Sequence, residues 1–200
     1  MTNSSTPAQD DPRFGFAEVT EIVGQLIESI EAMDPEVLTR STPCPDFTVS
    51  ELIDHVVMVM RRVAVVGNGE HFGTVQQAPL GSDRVGHYRS AAHDVMAAWT
   101  DPAKLEQMFD VPWGRFPGGP VLFSYTGELA VHGWDLAVAT EQPITIDDDV
   151  LGGALMAAKF IPAEGRNEPE MPFDPVVDPG SDAPVLDQLA GWLGRQVIPA

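Results

Sequence analysis

The sequence predicts an all-α fold organised as one compact unit. Apolar residues recur at spacings of three and four through most of the chain, the period of a half-buried helix. Capping residues stand ahead of the apolar runs, and strand-like alternation is absent except at 173–177. With 200 residues and 44% hydrophobic content the chain can bury a sizeable core, and its length suits one domain with a tail better than two domains.

Residues 1–10 read as a disordered tail, followed by Asp11 and Pro12 as N-cap and first helical residue. The first helix runs to about residue 33 on a stripe of Phe16, Val19, Val23, Leu26, Ile27, Ile30 and Met33, where Asp34-Pro35 stops it. Residues 40–47 carry Pro43 and Pro45 around Cys44 and read as a rigid loop. Thr48 and Glu51 have the spacing of a capping box, opening a second helix that carries Leu52, Ile53, Val56, Met60 and Val63, with His55 at the edge of its apolar face.

A Gly-rich loop around 67–81 leads to a third helix, capped by Ser82 and buried along Val85, Tyr88, Ala92, Val95 and Trp99. Asp101-Pro102 begins a short turn ending near Phe109, and 111–120 reads as a Pro/Gly-rich loop containing Trp113 and Phe116. A fourth helix covers about 121–140. Gly127 and Gly133 each weaken it in isolation by roughly 1 kcal/mol relative to Ala, so tertiary packing must hold it and it belongs at the centre. Residues 147–149 cap a fifth helix over about 150–161, and 162–184 is an arm rich in Pro, Gly and acids. A last helix over 185–195 returns Leu186, Leu189, Trp192 and Leu193 to the body, so the bundle occupies 11–161 and the arm with its short helix 162–200.

Charge narrows the functional classes. A net charge of −19 argues against nucleic-acid binding, which needs clustered Lys and Arg, and repels an anionic membrane surface. No apolar run reaches the roughly eighteen residues of a membrane span, and the first residues lack the basic start and apolar core of a signal peptide. Cys44 is the sole cysteine, so no intrachain disulfide forms and a cytoplasmic location is expected.

Within the fourth helix the only formal charges are Glu128 and Asp135, with His132 between them. At roughly 100° per residue, these spacings put all three on one stripe. A carboxylate buried alone is costly, so the stripe calls for a partner. The leading candidate is a divalent metal held by Glu128 and His132, with His55 from the second helix; buried hydrogen bonding is the other reading. Imidazole and carboxylate suit zinc, nickel, iron or manganese, and such a ligand set leaves the open position of a catalytic site. Asp135 is the expected acceptor for the other ring nitrogen of His132. Tyr125, one turn before Glu128, and Asp135 are the candidate proton-handling groups.

An acid four residues before a His is no fingerprint by itself, because Glu51/His55 and Asp83/His87 share the spacing and read as solvated, ion-paired faces. What separates Glu128 and His132 is their setting among apolar and small residues. His71, His87 and His93 fall in loops or polar faces and stay outside the site. Cys44, alone between prolines, reads as a packed small side chain rather than a nucleophile or soft ligand. The chain has no G-x-S-x-G elbow, Walker loop, dinucleotide-binding Gly pattern after a strand, or CxxC pair.

The run Thr42-Pro43-Cys44-Pro45-Asp46-Phe47-Thr48-Val49, followed by Glu51-Leu52-Ile53-Asp54-His55, resembles the start of the metal-binding helix in the actinobacterial mycothiol-dependent maleylpyruvate isomerase superfamily, which is related to DinB-like bundles. His132-Gly133-Trp134-Asp135-Leu136-Ala137 resembles the second signature of that group, and the ending from Asp182-Ala183-Pro184 to Gly194-Arg195 resembles that of its short members. The resemblance implies a DinB/YfiT-like four-helix bundle with a C-terminal arm and short extra helices. It implies a divalent metal, usually zinc, on His55, Glu128 and His132. It also implies mycothiol or a similar low-molecular-weight thiol as cosubstrate, activated as thiolate by the metal to attack a small electrophile in an isomerisation or S-transfer. A homodimer is compatible with the resemblance, although no exposed heptad or patch marks one. The isomerase's further C-terminal domain is not expected within 200 residues, so maleylpyruvate is not carried over as substrate. A non-catalytic module that binds or senses a metal or small molecule is the alternative reading.

Overall fold

Asp11 opens the first helix as expected, its carboxylate accepting the backbone N–H of Arg13 ahead of Pro12. The computed structural model describes residues 11–164, 166 and 173–196; the expected tail at 1–10 and residues 165, 167–172 and 197–200 of the expected arm lie outside the described residues. The described helices are α1 (Pro12–Glu31), α2 (Val49–Gly67), α3 (Arg84–Ala98), α4 (Gly118–Thr140), α5 (Asp148–Ala158) and α6 (Val185–Trp192). The fold is the all-α, DinB-like bundle that the periodicity and the resemblance implied.

Four helices form the bundle, and their directions follow from contacts at their ends. Arg84, at the start of α3, reaches Ser50 at the start of α2, and Trp99, just past the end of α3, donates to Val63 O near the end of α2. These two helices therefore run parallel, which the long 68–83 connection makes possible. Arg13 at the start of α1 reaches Thr100 O beyond the end of α3, so that pair is antiparallel. Ser29 near the end of α1 meets Gln142 beyond the end of α4, so those two run parallel. Arg40 ahead of α2 pairs with Glu141 at the end of α4, making α2 and α4 antiparallel. The α4 helix packs against α1, α2, α5 and α6, which gives it the central place its glycines predicted.

The core joins the predicted stripes, with Val19, Val23, Ile27, Leu52, Ile53, Val63, Val95, Leu129, Leu136, Leu151 and Leu189 fully or almost fully buried. Their burial is the main favourable free energy of the fold. At Gly133 the α1 and α4 backbones come close: an added Cβ would stand 2.8 Å from Val23 Cγ2.

Several boundaries and one element differ from the sequence reading. The expected loop at 111–120 is instead the second half of a hairpin, β1 (Met108–Val111) paired antiparallel with β2 (Gly114–Pro117), and α4 starts at Gly118. Pro112 and Trp113 form its turn, and Gly114 takes φ 137°, a conformation that suits glycine. Strands of four residues are too short to show alternation in sequence. At 173–177, where alternation was visible, the chain runs without pairing into a strand among the described residues; Val177 N donates to Gly191 O. Asp83 rather than Ser82 caps α3, because its carboxylate reaches Gly86 N. The first helix stops at Glu31, α5 at Ala158 and α6 at Trp192, each short of its predicted end.

Candidate metal centre

The antiparallel faces of α2 and α4 bring together three side chains that are far apart in sequence. A complete capping box starts α2: Thr48 and Glu51 bond reciprocally, and His55 follows one turn later. Its Nε2 lies 3.7 Å from Glu128 Oε1, and His132 Nε2 lies 3.7 Å from the same oxygen. The two imidazoles meet edge to face, ring centroids 5.0 Å apart. One ligand atom from each of His55, Glu128 and His132 lies within 4.8 Å of the others.

The remaining ring nitrogens are already engaged. His132 Nδ1 faces Asp135 Oδ2 at 3.1 Å, and His55 Nδ1 faces Gln77 Oε1 at 3.2 Å. With Nδ1 of each ring engaged by these acceptors, Nε2 is the nitrogen that faces Glu128. Asp135 is in turn gripped by Arg195, whose Nε and Nη2 donate to its two oxygens at 3.2 and 2.9 Å. Sequence reasoning anticipated Asp135 beside His132 but missed Gln77 and Arg195, for which no local spacing gives a signal.

These contacts set the charges of the metal-free cluster. Burial opposes ionisation of Glu128, but the facing imidazoles of His132 and His55 outweigh it and hold the carboxyl well below the usual range. Burial also opposes a charged His132, yet Asp135 and Glu128 together push that ring up to about 9. Glu128 leaves 37% of its side-chain surface accessible, so the cluster opens to solvent on that side.

The donor set suits a cation. Atoms about 2 Å from a tetrahedral ion stand roughly 3.4 Å apart, so the 3.7 Å separations need only a few tenths of an ångström of closure. An unused buried donor lies nearby as well, since the Tyr125 hydroxyl has no hydrogen-bond partner among the described residues. Burial, with Glu128 adding to it, pushes the Tyr125 phenol well above its ordinary range.

The other candidates are placed as follows. Glu51 is spent on its capping box and Asp83 on its helix cap, so the expected ion-paired faces with His55 and His87 do not form. His71 accepts from Gly73 N, His87 meets Arg61, and His93 is exposed beside Asp94; none joins the cluster. Cys44 is nearer than expected, its Sγ lying within 4.8 Å of ligand atoms of His132 and Asp135. Burial pushes its thiol up, with Arg195 offsetting part of the effect, so it fits a packed side chain better than a nucleophile. The loop carrying it also brings Phe47 against the His55 ring, centroids 4.8 Å apart. A separate groove lined by Trp134, Ala137, Ile146 and Leu186 lies on another face of α4 and offers no imidazole or thiol.

Residues 19–137, more than half of the chain, match the family described as the mycothiol maleylpyruvate isomerase N-terminal domain. The chain belongs to that family. The match takes in His55, Glu128, His132 and Asp135, while Arg195 lies beyond it. The chain is also similar to uncharacterized proteins of two Mycobacterium tuberculosis strains, CDC 1551 and H37Rv. Each is 28% identical over 192 residues, covering 94% of this chain and 99% of the relative. No solved structure matches.

Proposed function

We propose that His55, Glu128 and His132 hold a divalent cation, zinc first among zinc, nickel, iron and manganese, and that the protein is a thiol-dependent transferase or isomerase. The observation that carries this reading is the shared aim of two imidazoles: Asp135 and Gln77 occupy both Nδ1 positions, and both Nε2 atoms face one carboxylate oxygen. Held there, the cation would supply Lewis acidity that favours thiolate over thiol at neutral pH. Membership of a family named for mycothiol supports that low-molecular-weight thiol as cosubstrate. A lone cysteine and a thiol cosubstrate suit the reducing cytoplasm, and no described helix is long and apolar enough to cross a membrane.

The chain's own groups have separable roles in this scheme. His55 and His132 bind and Glu128 supplies the anionic donor, while Asp135 and Gln77 hold the rings in orientation. Asp135 is fully buried and committed to His132 and Arg195, which suits a positioning role. Tyr125 remains a phenol at neutral pH and serves as a hydrogen-bond donor. That thin supply of proton-handling groups favours a second reading, a module that binds or senses a metal or small molecule without turnover.

Elemental analysis of the purified chain tests the first step, with close to one divalent ion per chain expected, and none in His132→Ala. Thiol transfer to a small electrophile should vanish with the metal and return when zinc is restored. Transfer that persists in the metal-free protein refutes the enzyme reading, and a loaded protein that binds thiol without transfer supports the module.

A further inference from the structure

The two imidazoles of the cluster are oriented by unlike partners. His132 Nδ1 faces Asp135, which lies on the same helix, is fully buried and is gripped by Arg195. His55 Nδ1 faces Gln77 Oε1 at 3.2 Å, and Gln77 is an exposed residue of the connection between α2 and α3. That connection lies along α2. Leu80 N donates to Asp54 Oδ1 at 3.3 Å, Gln77 meets His55, and Val75 O accepts from Arg62 Nε at 3.2 Å. Positions rise on α2 as they fall on the connection, so residues 75–80 run antiparallel to the helix. The lengths agree, because the helix rises about 12 Å from Asp54 to Arg62 and extended chain from Leu80 to Val75 reaches up to about 17 Å.

The ends of this strap are held and its middle is not. Val75 and Leu80 are half-buried against the core, as is Phe72 before them. Residues 76–79 are exposed, and none of the backbone N–H groups of Gln76, Gln77 and Ala78 meets a protein acceptor among the described residues. Pro79 has no N–H to offer. Gln76 turns its side chain back to Gly73 O within the same connection. The bond between Gln77 and His55 is therefore the one described hydrogen bond that ties the middle of the strap to the bundle. A segment with exposed backbone and few packed side chains opens at low free-energy cost, so that single link decides whether it stays down.

We propose that residues 75–80 form a strap whose docking on α2 is coupled, through the bond between Gln77 and His55, to occupancy of the metal cluster. The coupling rests on the reading that His55, Glu128 and His132 hold a cation. A neutral imidazole carries its proton on either nitrogen, and only the form with the proton on Nδ1 donates to Gln77 Oε1. With Nε2 given to a cation the proton is confined to Nδ1, and that N–H becomes a stronger donor. Loading thus tightens the strap, and by linkage a docked strap tightens the hold on the cation by the same factor. Gln77 is a positioning residue in this scheme, acting only through His55. Asp135 offers His132 no such movable link, being fully buried and held by Arg195.

Nuclear relaxation of the backbone amide nitrogens and amide hydrogen exchange, on metal-free and zinc-loaded full-length protein, test the coupling, with zinc content measured separately. Zinc should raise the heteronuclear NOE of the Gln76, Gln77 and Ala78 amides and slow exchange of the Leu80 amide, which is bonded to Asp54. Gln77→Ala should lose both responses and bind zinc about tenfold more weakly. Gln77→Glu keeps an acceptor for Nδ1–H, so both responses should survive, with zinc affinity no lower than that of the native chain. Gln76→Ala, next in sequence and bonded only within the connection, should behave as the native chain. Both side chains are exposed, and unchanged metal-free melting temperatures show that the variants fold. A strap equally mobile with and without zinc overturns the coupling, as does undiminished zinc affinity in Gln77→Ala or ordering by zinc that persists in that variant. A chain that takes up no zinc overturns the metal reading and the coupling together. One that takes up zinc without ordering the strap leaves the metal reading standing and removes the coupling alone.

Discussion

Arg195 grips both oxygens of Asp135 across 60 residues of chain, closing the C-terminal segment onto the core of the bundle. Asp135 is fully buried, and the same Oδ2 faces His132 Nδ1. Removing the guanidinium leaves a buried charge with one partner too few. Arg195→Ala should therefore destabilise the fold by about 3–5 kcal/mol, read as a lower urea midpoint at unchanged slope. Asp135→Asn should in addition weaken zinc about 10–100-fold, because the ring of His132 is no longer held. Unaltered zinc affinity in that variant would mean that Asp135 has a structural role only.

The metal-free protein should respond to pH through His132. Burial works against its charged form, but Asp135 and Glu128 lift the ring from 6.5 to about 9. A folded-state value above the unfolded one means that protonation favours folding. The contribution is complete below pH 6.5 and is lost as the pH rises through about 9. A bound cation needs the same Nε2 and must displace that proton. Zinc affinity should accordingly rise by about tenfold per unit from pH 6.5 to 9 while the metal-free melting temperature falls. Isothermal titration across that range checks it, and a flat affinity contradicts it.

Cys44 should be slow to react despite its place beside the cluster. Burial raises its thiol, Arg195 lowers it in part, and Asp135 raises it again, so little thiolate exists at neutral pH. Alkylation by iodoacetamide at pH 7, followed by mass spectrometry, should run several-fold slower than for free cysteine. Cys44→Ser should keep the metal, and its loss in that variant would make Cys44 a ligand.

Local patterns in the sequence carried most of the fold and one side of the site. The stripes of α1, α2 and α4 were legible because each repeats over several turns, and Glu128, His132 and Asp135 were legible because one helix fixes their relative positions. His55 needed the capping box to place it on a helix and the family resemblance to face it toward the others. Arg195 and Gln77 stayed hidden because they arrive through tertiary packing, which leaves no spacing to read. The hairpin was missed because Pro112 and Gly114 look like loop residues and its strands are short. The parallel run of α2 and α3 depends on a connection whose path no residue pattern specifies.

Gly133 tests whether the close approach of α1 and α4 holds the cluster in shape. Alanine favours a helix over glycine by roughly 1 kcal/mol, so propensity alone predicts a gain. Against this, the new Cβ would sit 2.8 Å from Val23 Cγ2 and 3.0 Å from Ile144 Cδ1. Val23 is fully buried, and overpacking of this kind typically costs about 1–3 kcal/mol. Gly152 provides the control, because an added Cβ there meets nothing within 4 Å. Gly152→Ala should stabilise the protein by about 0.5–1 kcal/mol, whereas Gly133→Ala should lower stability by up to about 2 kcal/mol. Relief of the clash by a shift of α4 would also move His132, the next residue, relative to His55 on α2. Gly133→Ala should thus lose zinc affinity as well as stability, and Gly152→Ala should lose neither. Equal stabilisation by both substitutions, with zinc binding intact, would show that the spacing of α1 and α4 does not control the geometry of the cluster.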